Sequence, residues 1–266
     1  MTAAGATHGV VTLPLLDVRL EPAHAAELGS QLLLGETVAI LGGSRAGGWL
    51  RVRNDADGYA GWVKAWGIVP ATRARASRWR RLARAKIGAP MAQVSARRGG
   101  GAGISPVFFG GRLIASRPVR GWCAVELPDG RRGHLPAAAL AGQPTLEARI
   151  ASLLGSAYLW GGRSPAGYDC SAFVQQVLLE QGIRLPRDAK DQCKGSRRLS
   201  GPERPGDLAF FQRPGEPAGH VGIALGEGYF AHCRGRVMVG SVDSDNPLYD
   251  KDLRPQFMGW FRPRRP

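Results

Sequence analysis

The segment YDCSAFVQQVLLEQG, residues 168–182, places a cysteine between an acid and a hydroxyl at the point where an apolar pattern begins. The apolar residues recur at the 3.6-residue spacing of one buried helix face: Phe173, Val174, Val177 and Leu178. The pattern predicts a helix that starts beside Cys170. The unpaired N–H groups and the positive macrodipole at a helix N-terminus favour an anion, so we expect Cys170 to be held as a reactive thiolate.

The composition is that of a folded protein. The 266 residues suffice for two or three small domains, and 44% of them are hydrophobic. No apolar run approaches the roughly 18 residues of a membrane span, and the N-terminal stretch lacks the basic and long apolar regions of a signal peptide. The four cysteines have no paired spacing, which fits a reduced compartment. We therefore expect a soluble, unexported, cytoplasmic protein without a membrane partner.

The net charge of +15 comes mostly from arginine, since only five of the 36 basic residues are lysines. Such a charge is compatible with nucleic acid, a membrane surface or an acidic small substrate. The densest basic run is TRARASRWRRLARAK, residues 72–86, which we interpret as a solvated helix face or a linker. No recognised nucleic-acid-binding motif accompanies the charge, so we expect no nucleic-acid partner.

Two regions before residue 142 carry strand signals in the same order. Residues 30–63 and residues 110–136 each read as strand, bend, Gly-Trp, strand, Asp-Gly hairpin and strand. The aligned positions are Gly48-Trp49 with Gly121-Trp122, and Asp57-Gly58 with Asp129-Gly130. This indicates a tandem repeat. Both regions resemble bacterial SH3-like domains, the first more specifically through its GE-V and DGYAGWV elements, which implies two small all-β barrels over residues 1–70 and 71–142.

From about Pro144 the pattern changes to helices followed by strands. The segment TLEARIASLLG predicts a helix that Thr145 caps and Gly155 ends. Its buried face is predicted to contain Leu146, Ile150, Leu153 and Leu154. Beyond the Cys170 helix, LAFFQ, HVGIALGEGYFAHC and RVMVGS predict short strands joined by glycine-rich turns. This order predicts an α+β domain over residues 143–266.

Two histidines are placed to assist a cysteine nucleophile. Such a nucleophile needs a base within hydrogen-bond reach and a third group that orients the base. His220 opens the strand GHVGIAL, His232 ends the strand GYFAHC, and the GEG turn between them predicts a hairpin. Packing of that strand end against the start of the Cys170 helix would bring all three residues together. We expect no metal site, because the sequence lacks the short Cys or His spacings that usually form one.

The motifs YLWGG, YDCSAF, RPGDLAFF, GHVGI and YFAHC occur in that order and resemble the NlpC/P60 family of cysteine peptidases over about residues 144–266. The resemblance implies a papain-like core without a cofactor, in which Cys170 is the nucleophile, His220 the base and His232 the orienting group. It also implies that the Tyr158 hydroxyl helps to bind the oxyanion, beside the backbone N–H of Cys170. One departure is Ala172, where the family usually has glycine.

Two SH3-like domains ahead of an NlpC/P60 domain resemble, more narrowly, the γ-D-glutamyl-L-diamino acid endopeptidases that cut murein peptides. The resemblance implies that the first SH3-like domain covers part of the cleft and restricts entry to peptides with a free N-terminal L-alanine. Glu27 and Tyr59 are then predicted to line the cleft, and Asp188 of LPRDA to pair with the free amine. Asp169 and Ser171, which flank the nucleophile, are predicted to face the substrate.

The leading hypothesis is a cytoplasmic peptidase that acts on L-Ala-γ-D-Glu-diamino acid peptides. One alternative is a peptidoglycan-binding module with an inactive peptidase-like domain. Another is an amidase or acyltransferase that uses the same thioester chemistry. The sequence predicts neither the preferred diamino acid nor the oligomeric state.

Overall fold

The computed structural model describes residues 6–43, 47–140, 142 and 144–264, and the chain divides into two compact units, Met1–Gly142 and Gln143–Pro266. Residues 44–46 of the first predicted repeat and residues 1–5 of the N-terminal stretch lie outside the described residues. A division of the first unit at residue 70 stays a prediction. Among the described residues, no helix has both the length and the apolar character that crossing a membrane requires.

The first unit begins with a seven-stranded antiparallel sheet. Its strands are β1 (His8–Val11), β2 (Leu15–Arg19), β3 (Leu28–Leu33), β4 (Thr37–Gly43), β5 (Trp49–Asn54), β6 (Ala60–Lys64) and β7 (Ile68–Ala71). The spatial order is β3-β2-β6-β5-β4-β1-β7. Alternating residues of these strands, among them Val18, Val52 and Val63, are buried in one apolar cluster. Burial of this side-chain row on one face is what the period-2 pattern of a half-buried strand produces.

The basic run continues from this sheet as helix α1 (Arg73–Leu82), whose N-cap Thr72 accepts a hydrogen bond from the Arg75 N–H. One face of α1 packs on the first sheet: Ala76 is fully buried and the Trp79 indole N–H donates to the Gly35 carbonyl at 2.9 Å. Arg80 pairs with Asp55 at 2.6 Å. The remaining arginines of α1 are exposed, so the predicted solvated helix face is confirmed.

A second antiparallel sheet follows α1. Its strands are β8 (Ala85–Lys86), β9 (Met91–Arg97), β10 (Gly100–Phe108), β11 (Arg112–Ala115), β12 (Trp122–Glu126) and β13 (Arg132–Pro136), in the order β10-β9-β13-β12-β11-β8. Strand for strand this is the order of β3 to β1 in the first sheet, and a 3-10 turn follows β6 and β13 alike. The predicted tandem repeat is therefore confirmed as a repeated topology.

The aligned glycines explain why the repeat is legible in the sequence. Gly58 and Gly130 lie in the two hairpin loops with φ of 77° and 85°, and Gly48 and Gly121 precede the strands that begin with tryptophan, with φ of 64° and 77°. These are left-handed conformations that glycine adopts at little cost. The repeats also share structure, since Leu34 of the first is buried in the core of the second.

The second unit opens with helix α2 (Leu146–Leu153). The predicted cap and stop are confirmed: the Thr145 hydroxyl accepts from the Ala148 N–H at 3.2 Å, and Gly155 has φ of 82°. The prediction that Leu154 is buried is wrong, because the helix ends before this residue and its side chain is half exposed. Arg149 of α2 instead reaches inward and forms a buried fork with Glu180, at 2.6 and 2.8 Å.

Helix α3 (Cys170–Glu180) is the central helix of this unit and begins at the predicted residue. A short β14 (Arg163–Ser164) and β15 (Gly167–Tyr168) precede it, and α4 (Ala189–Lys194) follows it. The four apolar residues predicted for its buried face are all at most 1% exposed. Every residue from Cys170 to Leu178 is buried, so the helix lies inside the unit rather than on its surface.

A six-stranded antiparallel sheet completes the second unit. Its strands are β16 (Ser196–Arg198), β17 (Leu208–Phe211), β18 (His220–Gly226), β19 (Tyr229–Arg234), β20 (Arg236–Ser241) and β21 (Phe257–Pro263), in the order β16-β21-β17-β18-β19-β20. The predicted hairpin is confirmed, with Gly226, Glu227 and Gly228 all at positive φ. Its register pairs Gly222 with His232, so that His220, two residues before Gly222, lies near the same end of the hairpin.

Candidate active site

Cys170 is the first residue of α3, and the preceding Asp169 caps the helix by accepting from the Ala172 N–H at 2.8 Å. The cap fixes where the helix begins and therefore where the thiol lies. The Cys170 side chain is 7% exposed. Its Sγ lies 4.0 Å from the carbonyl oxygen of Gly219, the residue immediately before His220. The helix N-terminus thus meets the start of β18, as the proposed packing requires.

Hydrogen-bond donors of the protein satisfy both oxygens of the Asp169 carboxylate. Arg187 forks onto both of its oxygens at 3.0 and 2.6 Å, and the Gly161 N–H donates to Oδ2 at 3.1 Å. Ser171 donates its hydroxyl to Asp169 Oδ1 at 3.1 Å and accepts from Arg187 at 3.0 Å. We name Asp169, Ser171 and Arg187 the clamp. The contacts of Asp169 and Ser171 hold the helix start, and their predicted contact with substrate stays a prediction.

The two histidines form a hydrogen-bonded pair. His220 Nε2 lies 2.9 Å from His232 Nδ1, with the ring planes nearly perpendicular at 84°. Since His232 occupies Nε2 of His220, the nitrogen left to exchange a proton with the thiol is Nδ1. His232 is fully buried and packs against Phe230 with 4.8 Å between the ring centroids and the planes tilted by 49°, which holds its ring in place. Cys170, His220 and His232 are therefore brought together, and their catalytic roles stay predictions.

Burial governs the protonation state of the thiol. It raises the pKa of Cys170 to about 12, helped by the negative charge of Asp169 and opposed by the backbone N–H of Val221 and by Arg187. The desolvation cost exceeds the stabilisation that the helix N-terminus provides. The prediction of a resting thiolate is therefore wrong, because the buried sulfur keeps its proton at neutral pH.

Burial also keeps the two imidazoles neutral. It lowers the pKa of His220 to about 3, with further lowering by His232 and Arg234. It lowers the pKa of His232 to about 4, where the Asp250 carboxylate acts in the opposite direction. The resting site is therefore a neutral thiol beside a neutral base. Both charges of an activated pair would arise together, by transfer of one proton between adjacent groups.

Tyr158 is half-buried beside this site. Burial raises the pKa of its hydroxyl to about 12, and the ionised form of Cys170 is the next largest cause. The phenol therefore stays protonated at neutral pH and keeps its capacity to donate a hydrogen bond. Its backbone is fixed by donation from the Tyr158 N–H to the Gly235 carbonyl at 2.8 Å. This environment suits the predicted role as an oxyanion donor, which stays a prediction.

Asp188 precedes α4 but does not cap it with its side chain. Its carboxylate is partly buried, and burial raises its pKa, whereas neighbouring Arg187 and Lys190 lower it. Arg187 next to it was not predicted to matter, although LPRDA was recognised as a motif. The sequence did contain a chemical signal for the pairing of Arg187 with Asp169. A buried acid at a helix start needs a cation, and the LPRDA motif supplies one.

Glu27 and Tyr59 belong to the first unit. Glu27 is exposed just before β3, and the Tyr59 hydroxyl lies over Gly29, where an added β-carbon would be only 2.6 Å from it. The two residues therefore lie at the same end of the first sheet, and their predicted role in lining the cleft stays a prediction. Among the described residues, no group of three or more His, Cys, Asp or Glu side chains is arranged to hold a metal ion.

Residues 155–253 match the model of the NlpC/P60 family, and this range contains Cys170, His220 and His232. The second unit is an NlpC/P60 domain. In the first unit, residues 18–67 match the model of the bacterial dipeptidyl-peptidase SH3 domain. The two matches lie on either side of residues 68–154, the range that contains α1 and the second sheet.

Curated relatives match over parts of their length. The probable endopeptidase p60 of Listeria innocua is 42% identical over 82 residues, which is 30% of this chain and 17% of that protein. The gamma-D-glutamyl-L-lysine dipeptidyl-peptidase of Bacillus subtilis is 36% identical over 107 residues, 39% of this chain and 36% of that protein. The chain therefore spans about a third or less of the curated relatives it matches.

Solved structures support the fold over almost the whole chain. An NlpC/P60 family protein from Bacillus cereus superposes with a TM-score of 0.80 at 18% identity, covering 97% of this chain and all of that one. An NlpC/P60 endopeptidase from Photobacterium damselae gives a TM-score of 0.69 at 13% identity, covering 96% and 70% of the two chains. The predicted fold class, an α+β NlpC/P60 domain preceded by all-β sheets, is confirmed.

Proposed function

We propose that this protein is a cysteine endopeptidase that hydrolyses the γ-D-glutamyl-diamino acid bond of murein peptides. The observation that carries the proposal is the convergence of a buried thiol at the start of α3 with the hydrogen-bonded pair His220 and His232. The presence of an NlpC/P60 domain and the name of the Bacillus subtilis relative support the reaction and the substrate class.

The mechanism follows from the neutral resting pair. As Cys170 Sγ attacks the scissile carbonyl, its proton passes to His220 Nδ1, and the Tyr158 hydroxyl and the Cys170 N–H stabilise the oxyanion. The imidazolium then donates that proton to the leaving amine, which gives a thioester and free diamino acid. His220 next removes a proton from water, which attacks the thioester; the acid is released, and the imidazolium returns that proton to Cys170 Sγ. Hydrogen bonding to His232 keeps the His220 ring oriented throughout.

The direct test offers L-Ala-γ-D-Glu-diaminopimelate, the same peptide with L-lysine as the diamino acid, and N-acetylated forms of both. We expect free diamino acid from the unblocked peptides, slower release from the acetylated ones, and none with Cys170→Ala. Absence of cleavage of all four peptides by the parent protein would overturn the proposal. The lysine and diaminopimelate arms also determine which diamino acid is preferred.

Selectivity for a free N-terminus is attributed to Asp188. A partly buried carboxylate can pair with a substrate ammonium, and a charged hydrogen bond of this kind contributes about 1.5–3 kcal/mol. Asp188→Asn should therefore lower kcat/KM for the free peptide by about 10- to 150-fold and leave the acetylated peptide unchanged. Asp191→Asn is the matched control, because Asp191 lies on α4 and its carboxylate is 3.7 Å from Lys194. Equal loss on both peptides would argue against this role.

Binding to sacculi without cleavage would distinguish the binding-module alternative from the peptidase. A protein that sediments with isolated sacculi and releases no product would favour it, whereas product release favours the peptidase. An amidase or acyltransferase would use the same thioester, and mass spectrometry of the products distinguishes bond position and acceptor.

We also propose a cytoplasmic location, supported by four cysteines that are all free thiols. Fractionation of cells that produce the protein tests it.

A further inference from the structure

His232 has an unexplained nitrogen. Its Nδ1 meets His220 at 2.9 Å, but Nε2 is buried and has no hydrogen-bond partner within the described part of the chain. Buried polar atoms are nearly always satisfied, because leaving one unpaired costs free energy. The catalytic contacts already described do not account for this atom, because the hydrogen bond to His220 uses Nδ1.

The protonation of this nitrogen decides whether His220 can act as a base. A neutral imidazole carries its proton on one nitrogen only. If His232 carries it on Nε2, then Nδ1 accepts from the His220 Nε2–H, and His220 Nδ1 keeps a lone pair for the thiol. If His232 carries the proton on Nδ1 instead, this N–H donates to His220 Nε2. His220 then carries its own proton on Nδ1 and presents an N–H to the thiol. Only the first arrangement lets His220 take the proton of Cys170.

Asp250 is the carboxylate near His232. It lies in the segment after β20, and its side chain is only 15% exposed. Its Oδ1 accepts from the backbone N–H groups of Asp252 and Leu253 at 3.1 and 2.9 Å, which fixes the carboxylate in place. Leu253 is itself buried in the apolar cluster that contains Phe230, the ring against which His232 packs. The segment that carries Asp250 is thus anchored on the same packing that holds His232.

A glycine, Gly240, is close to both Asp250 and His232 Nε2. A cavity of about 460 Å³ is bounded by Asp250, Arg234, Met238 and Gly240, among others. A β-carbon added at Gly240 would lie 3.5 Å from His232 Nε2, so any larger side chain there would occupy the approach to this nitrogen. Gly240 therefore lies both in the wall of the cavity that Asp250 lines and against His232 Nε2.

We propose that Asp250 is a positioning residue whose negative charge holds the proton of His232 on Nε2, so that His220 faces the Cys170 thiol as a base. The proposal rests on the peptidase function above and adds a group that acts through His232 without touching substrate. The charged and titratable groups that act on His232 are Asp250, Arg234 and His220. Asp250 favours the Nε2–H form, and Arg234, held 3.5 Å from Asp250, opposes it.

The test compares Asp250→Asn with Asp252→Asn. Asparagine at 250 keeps an oxygen that can accept from the two backbone N–H groups but removes the charge. Asp252 is the matched control because it also lies 3.5 Å from Arg234, yet its side chain is 63% exposed. We expect Asp250→Asn to lower kcat by about 10- to 100-fold with KM unchanged, the range typical of groups that orient a catalytic residue through a second contact. Asp252→Asn should match the parent.

The pH profile gives a readout that a merely structural role would not change. Loss of the Asp250 charge should move the acid limb of kcat to lower pH, because that charge raises the pKa of His232. Asp250→Glu should restore the limb toward its position in the parent, and Arg234→Gln should move it to higher pH. Identical kcat and identical limbs in Asp250→Asn and Asp252→Asn would overturn the proposal.

The tautomer itself can be measured without substrate. Long-range proton–nitrogen correlation spectra of ¹⁵N-histidine-labelled parent protein should show His232 protonated on Nε2, with the Nδ1–H form gaining population in Asp250→Asn. Protonation on Nδ1 in the parent would overturn the proposal whether or not any variant folds. If the parent cleaves no peptide but carries the Nε2–H tautomer, and Asp250→Asn shifts it toward Nδ1–H, the proposed function fails and the assignment of Asp250 stands.

Discussion

Two buried polar clusters meet at the start of α3, and they differ in how completely their hydrogen bonds are made. In the clamp, Arg187, Ser171 and backbone N–H groups fill both oxygens of Asp169. In the catalytic cluster, His232 Nε2 has no partner among the described residues, and Cys170 Sγ lies a long 4.0 Å from the Gly219 carbonyl oxygen. The comparison teaches that the satisfied cluster maintains geometry, while the unsatisfied one retains the capacity for new bonds.

The largest expected effect comes from removing the sulfur. Cys170→Ala should reduce turnover by about 10⁶-fold, the scale observed when the nucleophile of a hydrolytic triad is deleted. Because alanine fits the buried position without leaving an unpaired polar group, the free energy of unfolding should stay close to that of the parent. Peptide turnover and urea denaturation measure the two quantities. Cys193→Ala is the control, since Cys193 is a partly exposed free thiol on α4; its turnover should equal that of the parent.

Disrupting the clamp should affect the free energy of unfolding more than turnover, the opposite of Cys170→Ala. Arg187→Met leaves the buried Asp169 carboxylate without its cation and should lower the free energy of unfolding by about 3–5 kcal/mol. Adding Asp169→Asn removes the stranded charge and should recover part of that loss. Urea denaturation of both single variants and of the double variant measures the coupling. If Arg187→Met were as stable as the parent, the clamp would not be the structural cluster described here.

Tyr158→Phe tests the edge of the catalytic cluster. Removing one oxyanion donor typically reduces kcat by about 100- to 1000-fold, so the variant should be slow but active. KM should change little, because the hydrogen bond strengthens only as charge develops on the oxygen. An unchanged kcat would remove Tyr158 from the site. Tyr168→Phe is unsuitable as a control because its hydroxyl is fully buried, whereas Tyr249→Phe is partly exposed and should leave kcat unchanged.

The smallest effect is a pH dependence of stability. The folded pKa values of His220 and His232, about 3 and about 4, lie below the ordinary value of 6.5, so the unfolded chain binds more protons in between. The unfolding free energy should therefore fall as the pH drops below about 6.5, by at most about 1.4 kcal/mol per pH unit for each histidine. Comparing parent and His220→Gln by urea denaturation at about pH 7.5 and 5.5 measures the difference.

At alkaline pH the unfolding free energy should change with pH in the opposite direction. The folded pKa of Cys170 lies above its ordinary value of 9.0, so the unfolded thiol loses its proton first and stability should fall as the pH rises above about 9. Cys170→Ala should lessen this fall without abolishing it, because burial also raises the pKa of Cys233 to about 12. Equal pH dependence of parent and variant on both sides would contradict the burial of these groups.

Much of the fold was predictable because its signals are local. The period of apolar residues placed α3, the glycine-rich turn placed the β18–β19 hairpin, and Thr145 and Gly155 marked the ends of α2. The side-chain partners were less predictable. Arg187 pairs with an acid 18 residues earlier in the chain, and Asp250 lies 18 residues after His232. No local pattern links such positions.

The sequence by itself determined which residue types could do chemistry and where the elements that carry them begin, because helix caps, turns and periodicity depend on near neighbours in the chain. The tertiary structure alone decided their protonation. A thiol at a helix N-terminus was expected to ionise, yet packing removes water from Cys170 and from both histidines, and the cost of desolvating a charge exceeds the stabilisation from the helix end. Solvent exclusion depends on all the surrounding elements at once, and for that reason it could not be derived from any one segment.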